Sequence, residues 1–184
     1  MKIEQSNVTK LYLSEIPRLD PIGVFIEDYS KSQGKITIEC FGESWSHYWG
    51  AMGGRTLAEF FTSCNTSYLA GKLSDIKSGL DDYEAFELKA KKEILKLRRA
   101  DEIDLDKARY LYDEVDISSL DDDDGEWWCK ENCDILSEIF GEEWWYSIPQ
   151  KENPDYTYLC RIIESVQDGL KQFTKSKKID EVAL

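Results

Sequence analysis

Three groups of residues have the types and spacing that chemistry needs. The first runs Ser44-Trp45-Ser46-His47-Tyr48-Trp49-Gly50-Ala51-Met52-Gly53-Gly54-Arg55-Thr56. His47 is the only imidazole of the chain and stands close in sequence to Cys40, Ser44 and Ser46. A Cys–His or Ser–His nucleophile pair is one reading, but it also needs an orienting third group and an oxyanion hole. Gly53, Gly54 and Arg55 ahead of Thr56 could cradle an anion with backbone N–H groups at a helix start. They do not form a P-loop, because Arg55 stands where G-x-x-x-x-G-K-S/T requires Lys and the glycine spacing differs. A lone His is more often structural, and an aromatic packing loop with glycine turns is the simpler expectation. No catalytic residue is assigned.

The second group is the cysteines: Cys40, Cys64, Cys129, Cys133 and Cys160. Their odd number argues against a disulfide framework. Cys129 and Cys133 stand at i and i+4, one face of a helix if that segment is helical. A structural zinc site needs about four good ligands, commonly in close pairs. One pair, one His and three scattered sulfurs do not supply them, so ordinary reduced thiols are expected and no metal or other cofactor.

The third group opens with Asp121, Asp122, Asp123 and Asp124 and continues through Glu126, Trp127, Trp128, Glu142, Glu143, Trp144 and Trp145. Gly-Glu-Trp-Trp at 125–128 recurs loosely as Gly-Glu-Glu-Trp-Trp at 141–145. An EF-hand reading fails in both registers. Gly125 at loop position six puts Leu120 at position one, and Asp121 at position one puts Asn132 at position twelve. Carboxylates beside paired Trp do suit another purpose, because Trp and Tyr dominate interface hot spots. These eleven residues form the candidate partner-binding surface. The partner expected is a host protein with a basic surface. Carboxylates spaced along helices could occupy a basic groove that normally holds DNA, a form of DNA mimicry. The plainer alternative is a solvated acidic loop, with one ring of each Trp pair in the core and the other at its edge.

The whole composition agrees with this emphasis. The chain has 184 residues, 23 Lys plus Arg, 37 Asp plus Glu, and a formal charge of −14. Apolar residues make up 41% and aromatic residues 12%, including six Trp, which is enough for a real core and too much for a disordered chain. The charge has the wrong sign for direct nucleic-acid binding, and no apolar run approaches the roughly 18 residues of a membrane span. The opening residues lack the apolar core of a signal peptide, so a cytoplasmic location is expected. The charge is also uneven: residues 121–160 carry 2 basic against 12 acidic side chains, a net −10, whereas residues 1–74 carry 7 against 8.

The elements that must position these groups fall into two sets. Strands are expected at Lys10–Ile16, Gly23–Tyr29 and Gly34–Gly42. In the last, Ile36, Ile38 and Cys40 alternate with Lys35, Thr37 and Glu39, the half-buried strand pattern. Residues 30–34 read as a hairpin turn with Gly34 supplying the turn geometry. Helices follow. Thr56 and Glu59 have capping-box spacing, Asn65 can cap a helix ending at Leu73, and Leu80–Ala100 has apolar residues at three- and four-residue intervals. Asp104–Val115, Glu131–Phe140 and Asp155–Phe173 complete the set. The fold class expected is α+β, a small N-terminal antiparallel sheet of about three strands followed by and packed on several helices, with more helix than strand. One domain over 1–174 is expected: a sheet-bearing part over 1–74, a helical acidic part over 75–174, and a frayed tail over 175–184. The basic cluster on Leu80–Ala100 beside an acidic segment suggests a possible homodimer.

Leu19-Asp20-Pro21, residues 34–42, residues 45–54 and Tyr68-Leu69-Ala70-Gly71-Lys72-Leu73 resemble small accessory proteins of enterobacterial phages and prophages, with Y-W-G-A-M-G-G at 48–54 as the distinctive core. The resemblance implies a phage gene acting in the host-cell cytoplasm and carries over no functional residues. By analogy it favours a protein that binds and inhibits a host factor such as a defence component. Two other classes stand beside it: a small enzyme or ligand-binding domain built on His47, Gly53, Gly54 and Arg55, and a structural protein acting by self-association.

Overall fold

A computed structural model describes residues 1–3, 5–117, 120 and 122–182, with the backbone alone at 122, 123 and 177–182. Two compact units form, Met1–Lys77 with Pro154–Leu184, and Ser78–Asn153. The class is α+β, 50% helix and 21% strand.

The first unit is built on an antiparallel sheet of four strands in sequential order: β1 (Thr9–Leu13), β2 (Ile22–Ser30), β3 (Gln33–Cys40) and β4 (Glu43–Trp49). Ile22, Val24 and Ile26 of β2 and Ile36, Ile38 and Cys40 of β3 point to one face and are buried, as their period of two requires. Helices α1 (Leu57–Ser63), α2 (Thr66–Leu73) and α7 (Pro154–Val182) bring Leu57, Phe61, Leu69, Leu159, Ile163 and Val166 into the same core. α7 therefore packs on the sheet of this unit and does not group with residues 78–153. It continues helical through Lys175 to Val182, where a frayed tail is expected.

Several local signals hold as read. Thr56 accepts from the Glu59 amide, and the Glu59 carboxylate accepts from the Thr56 amide, a complete capping box. Asn65 accepts from the Tyr68 amide and caps α2.

Two readings are corrected. The segment taken for a packing loop is largely the fourth strand: Trp45, His47 and Trp49 alternate with Ser44, Ser46 and Tyr48. Its inward side chains are large and half-polar, so the alternation lacks the aliphatic contrast of β3. Gly34 is not a turn residue either, because it pairs within β3 with Asp28 and Trp49. A Cβ there would meet the Glu27 carbonyl oxygen at 2.9 Å and Leu57 Cβ at 3.3 Å. Glycine is needed for that close approach, not for a bend.

The β3–β4 connection is a two-residue turn, Phe41-Gly42, with φ of 49° and 83°. Positive φ at both central positions marks the hairpin turn that favours Asn-Gly. A Phe there costs about 1–2 kcal/mol of backbone strain.

The second unit is mainly helical: α3 (Tyr83–Arg99), α4 (Leu105–Glu114), α5 (Asp122–Glu131) and α6 (Cys133–Phe140), then a 3-10 turn at Trp144–Ser147. Short strands β5 (Gly79–Asp81) and β6 (Gln150–Glu152) pair antiparallel. Asp82 caps α3 and Asp104 caps α4, each accepting from the amide three residues on. Tyr83, Phe86, Ile117, Cys129 and Leu136 form one buried cluster, and Ala90, Ile94, Leu111, Val115 and Ile139 are among the residues of another. Glu87 is a buried carboxylate that accepts from the Ile117 amide at 2.9 Å and pairs with Lys91 at 2.6 Å, which fastens the chain leaving α4 onto α3. No described helix is long and apolar enough to cross a membrane.

Candidate functional site

The acidic, Trp-rich segment is mostly ordered secondary structure. Helix α5 begins at Asp122, within the Asp run. Asp121 and the side chains of Asp122 and Asp123 lie outside the described residues; Asp124 is exposed.

The two Gly-Glu-Trp-Trp runs have different structures. Gly125 is buried inside α5 against the Tyr83 ring, and a Cβ there would stand 2.5 Å from two ring carbons. Gly141 ends α6 with φ 88° and donates its amide to the Ser137 carbonyl at 2.8 Å. The inward and outward rings are consequently reversed. In α5, Trp127 points out, 63% exposed, and Trp128 packs against both clusters of the unit. In the 3-10 turn, Trp144 packs inward and Trp145 points out, 50% exposed. One ring of each pair thus serves the core and one is exposed.

The second run carries the better-defined surface. Trp144, Trp145 and Tyr146 follow one another with successive ring centroids 5.9 Å apart. Tyr146 is 79% exposed, and the sequence reading missed it; its place directly after Trp145 in a polar stretch was the available signal. Lys89 donates to the Ser147 carbonyl at 2.6 Å and sits 5.7 Å from the centre of the Phe140 ring, anchoring the turn on α3. The exposed Glu142 and Glu143 carboxylates meet no cation among the described residues. In α5, by contrast, Glu126 pairs with Lys130 at 2.6 Å. What stands out is a pair of exposed aromatic rings beside two carboxylates that meet no cation among the described residues.

Cys129 and Cys133 do not act as a pair. Asn132 separates α5 from α6, leaving Cys129 buried and Cys133 exposed. Burial first, then the Asp81 and Glu126 carboxylates, push the Cys129 thiol from its ordinary value of 9.0 up to about 11. A shift of that size leaves about 100-fold less thiolate near neutrality. A thiol reagent at pH 8 is therefore expected to modify Cys133 promptly and Cys129 only on unfolding, read by mass spectrometry of peptides. Equal rates would show that the α5–α6 packing is open.

The His47 stretch does not gather catalytic parts. His47 pairs across the sheet with Ile36, so Cys40 lies four residues along β3, about 13 Å away. Ser44 and Ser46 alternate to the other face. The imidazole rests edge-on to Trp49, centroids 4.6 Å apart. Burial, then the Lys72 ammonium, lower its pKa, opposed by a hydrogen bond to the Lys72 backbone.

The alternative reading of Gly53, Gly54 and Arg55 as an anion cradle meets groups of the chain itself. Gly54 donates to Ser32 Oγ at 2.9 Å and Leu57 donates to Asp28 Oδ1 at 2.8 Å. The Arg55 guanidinium donates to the Met52 carbonyl at 2.9 Å and Ser63 Oγ at 2.7 Å, and lies 4.9 Å from the centre of the Phe60 ring. The chain's own carboxylate takes the place an anion would have taken.

No curated protein and no solved structure matches the chain significantly. A family model described as a phage family matches residues 1–172. That match spans both units, and on it the chain belongs to this phage protein family.

Proposed function

We propose that this phage protein acts by binding a basic surface of a host protein, and so inhibiting it, through the acidic and aromatic surface of the second unit. The observation that carries the reading is the 3-10 turn, where Trp145 and Tyr146 stand exposed beside the unneutralised Glu142 and Glu143. Exposed aromatic side chains held in place from beneath lose little entropy on binding, and surrounding negative charge speeds encounter with a cationic partner. The exposed Trp127 on α5, with Asp124 and the Lys130-paired Glu126 near it in the helix, extends the acidic and aromatic surface. An enterobacterial host, a defence-system target and action in the host cytoplasm belong to this proposal. So does DNA mimicry, in which the target is a nucleic-acid-binding protein and duplex DNA competes for the same site.

The test is affinity capture from host lysate at low and high salt, followed by measurement of the identified partner's Kd. A basic protein should be retained at low salt and released by high salt. Trp145→Ala with Tyr146→Ala should weaken binding by about tenfold or more, roughly 1.4 kcal/mol per decade. Glu142→Gln with Glu143→Gln, and separately Asp121 to Asp124→Asn, should slow association most strongly at low salt. Wild-type affinity at low salt in all the charge variants would sink the electrostatic reading. Stable self-association with no host partner would favour an assembly role instead.

A further inference from the structure

The solvent face of the first unit's sheet carries a recess of about 440 Å³, lined by residues including Tyr12, Gly23, Glu39, Phe41 and Glu43. The strand register sets Tyr12 opposite Gly23, Gly23 opposite Glu39, and Glu39 opposite Ser44. These residues therefore share one cross-strand row on the outer face. Gly23 adds no side chain to that row. A Cβ there would stand 3.5 Å from the Phe25 ring and 3.6 Å from Glu39 Oε2. The floor of the recess is thus backbone, with a carboxylate beside it.

Two rings belong to the recess, Tyr12 at 67% and Phe41 at 80% exposure. Neither meets another ring or a cation among the described residues, and the Glu39 and Glu43 side chains have no hydrogen bond or ion pair there. Lys10, the only cation lining the recess among the described residues, lies over the Phe25 ring at 5.0 Å. Besides the Lys10 ammonium, the recess offers two carboxylates and two aromatic faces, for which no partner is found among the described residues. Phe41 also holds its place against backbone strain at a position where Asn is favoured, and its exposure gains the fold no burial. An aromatic ring kept there contributes little to folding.

We propose that the recess is a cation-recognition pocket that receives the guanidinium of an arginine presented by a protein partner. Arginine suits it better than lysine. A planar guanidinium stacks on aromatic faces, here Tyr12 and Phe41, while its fork of N–H donors pairs with carboxylates, here Glu39 and Glu43. The pocket is independent of the second unit's acidic surface, and either can fail without the other.

The test is an NMR titration of the ¹⁵N-labelled full chain with the peptide acetyl-Gly-Gly-Arg-Gly-Gly-amide. Saturable shifts are expected at the amides of Gly23, Phe41, Gly42 and Ser44. The citrulline peptide, which is neutral and nearly isosteric, should bind about tenfold more weakly or worse. Glu39→Gln with Glu43→Gln should lose affinity to the same extent. Phe41→Asn should also lose it while Tm stays the same or rises, which separates loss of the ring from loss of the fold. Equal binding of the citrulline peptide, wild-type affinity in the double Gln variant, or no shifts at the recess at millimolar peptide would each overturn the proposal. Argininamide binding as tightly as the peptide would overturn the assignment to a protein partner.

Discussion

Phe86→Ala is expected to cost about 3–5 kcal/mol, because the truncation leaves a cavity in a packed core. Phe86 is fully buried and stacks on Phe140 with centroids 5.4 Å apart and planes 17° from parallel. Its cluster contains Tyr83, Ile117, Cys129 and Leu136, and Trp128 and Trp144 lean on that cluster. Those are the inward rings of the two Trp pairs, so the loss also loosens the support of Trp127 and Trp145. For a cooperative domain of this chain's length, the cost corresponds to a fall in Tm of roughly 6–20 °C. Four of the six Trp lie in that unit, which makes intrinsic fluorescence a direct readout. A Tm within about 3 °C of wild type would show that the cluster is not the core described here. The same melt tests the organisation of the chain: we propose a single cooperative domain over 1–174, for which fluorescence and far-ultraviolet circular dichroism should fall together. Two separate transitions would replace it with two independent folding units.

Gln167→Leu should cost about 2–3 kcal/mol although the volume is nearly unchanged. Gln167 is buried on α7, and its Nε2 donates to the Phe61 carbonyl at 2.9 Å and the Cys64 carbonyl at 2.8 Å. These carbonyls lie at the C-terminal end of α1, where intrahelical donors run out. Leucine would fill the space but leave the Cys64 carbonyl without that donor and the Phe61 carbonyl with only the long bond from the Cys64 amide at 3.4 Å, and a buried acceptor left unsatisfied costs about 1–3 kcal/mol. The gain from burying more apolar surface, about 1 kcal/mol, offsets part of this. Chemical denaturation should show a lower midpoint with an unchanged slope, since the packed area stays the same. Gln167→Glu should be at least as damaging, because a carboxylate has no N–H to give. A Leu variant as stable as wild type would show that water or another donor can serve α1.

These two residues mark how much could be read from the chain alone. The apolar stripe Leu159, Ile162, Ile163, Val166 and Leu170 was legible from its spacing, and all five side chains are buried. Gln167 beside them was not, because its partners are more than 100 residues away and spacing reports only local neighbours. Thr56 and Asn65 were legible as caps because a cap is made within three residues. The acidic run was visible as charge but not as the start of α5, since Asp and Gly are weak helix formers in isolation. Packing of Gly125 against Tyr83 gives that helix its place.

The acidic, Trp-rich segment divides in the same way. That residues 121–160 concentrate negative charge and Trp follows from composition, which no folding can change. Which ring of each pair is exposed did not follow. One pair lies in an α-helix and the other in a 3-10 turn one residue further from its glycine, and that difference reverses the order of inward and outward rings. Likewise the Gly-rich stretch left an anion cradle open as an alternative, but the Leu57 amide at that helix start is taken by Asp28, 29 residues earlier in the chain. The recess beside Phe41 had no sequence motif at all, because a cross-strand row assembles residues from four separate strands. Class, charge and caps are local or additive properties and belong to the sequence. Exposure, pairing and cavities depend on which distant groups meet, and only the tertiary structure decides them.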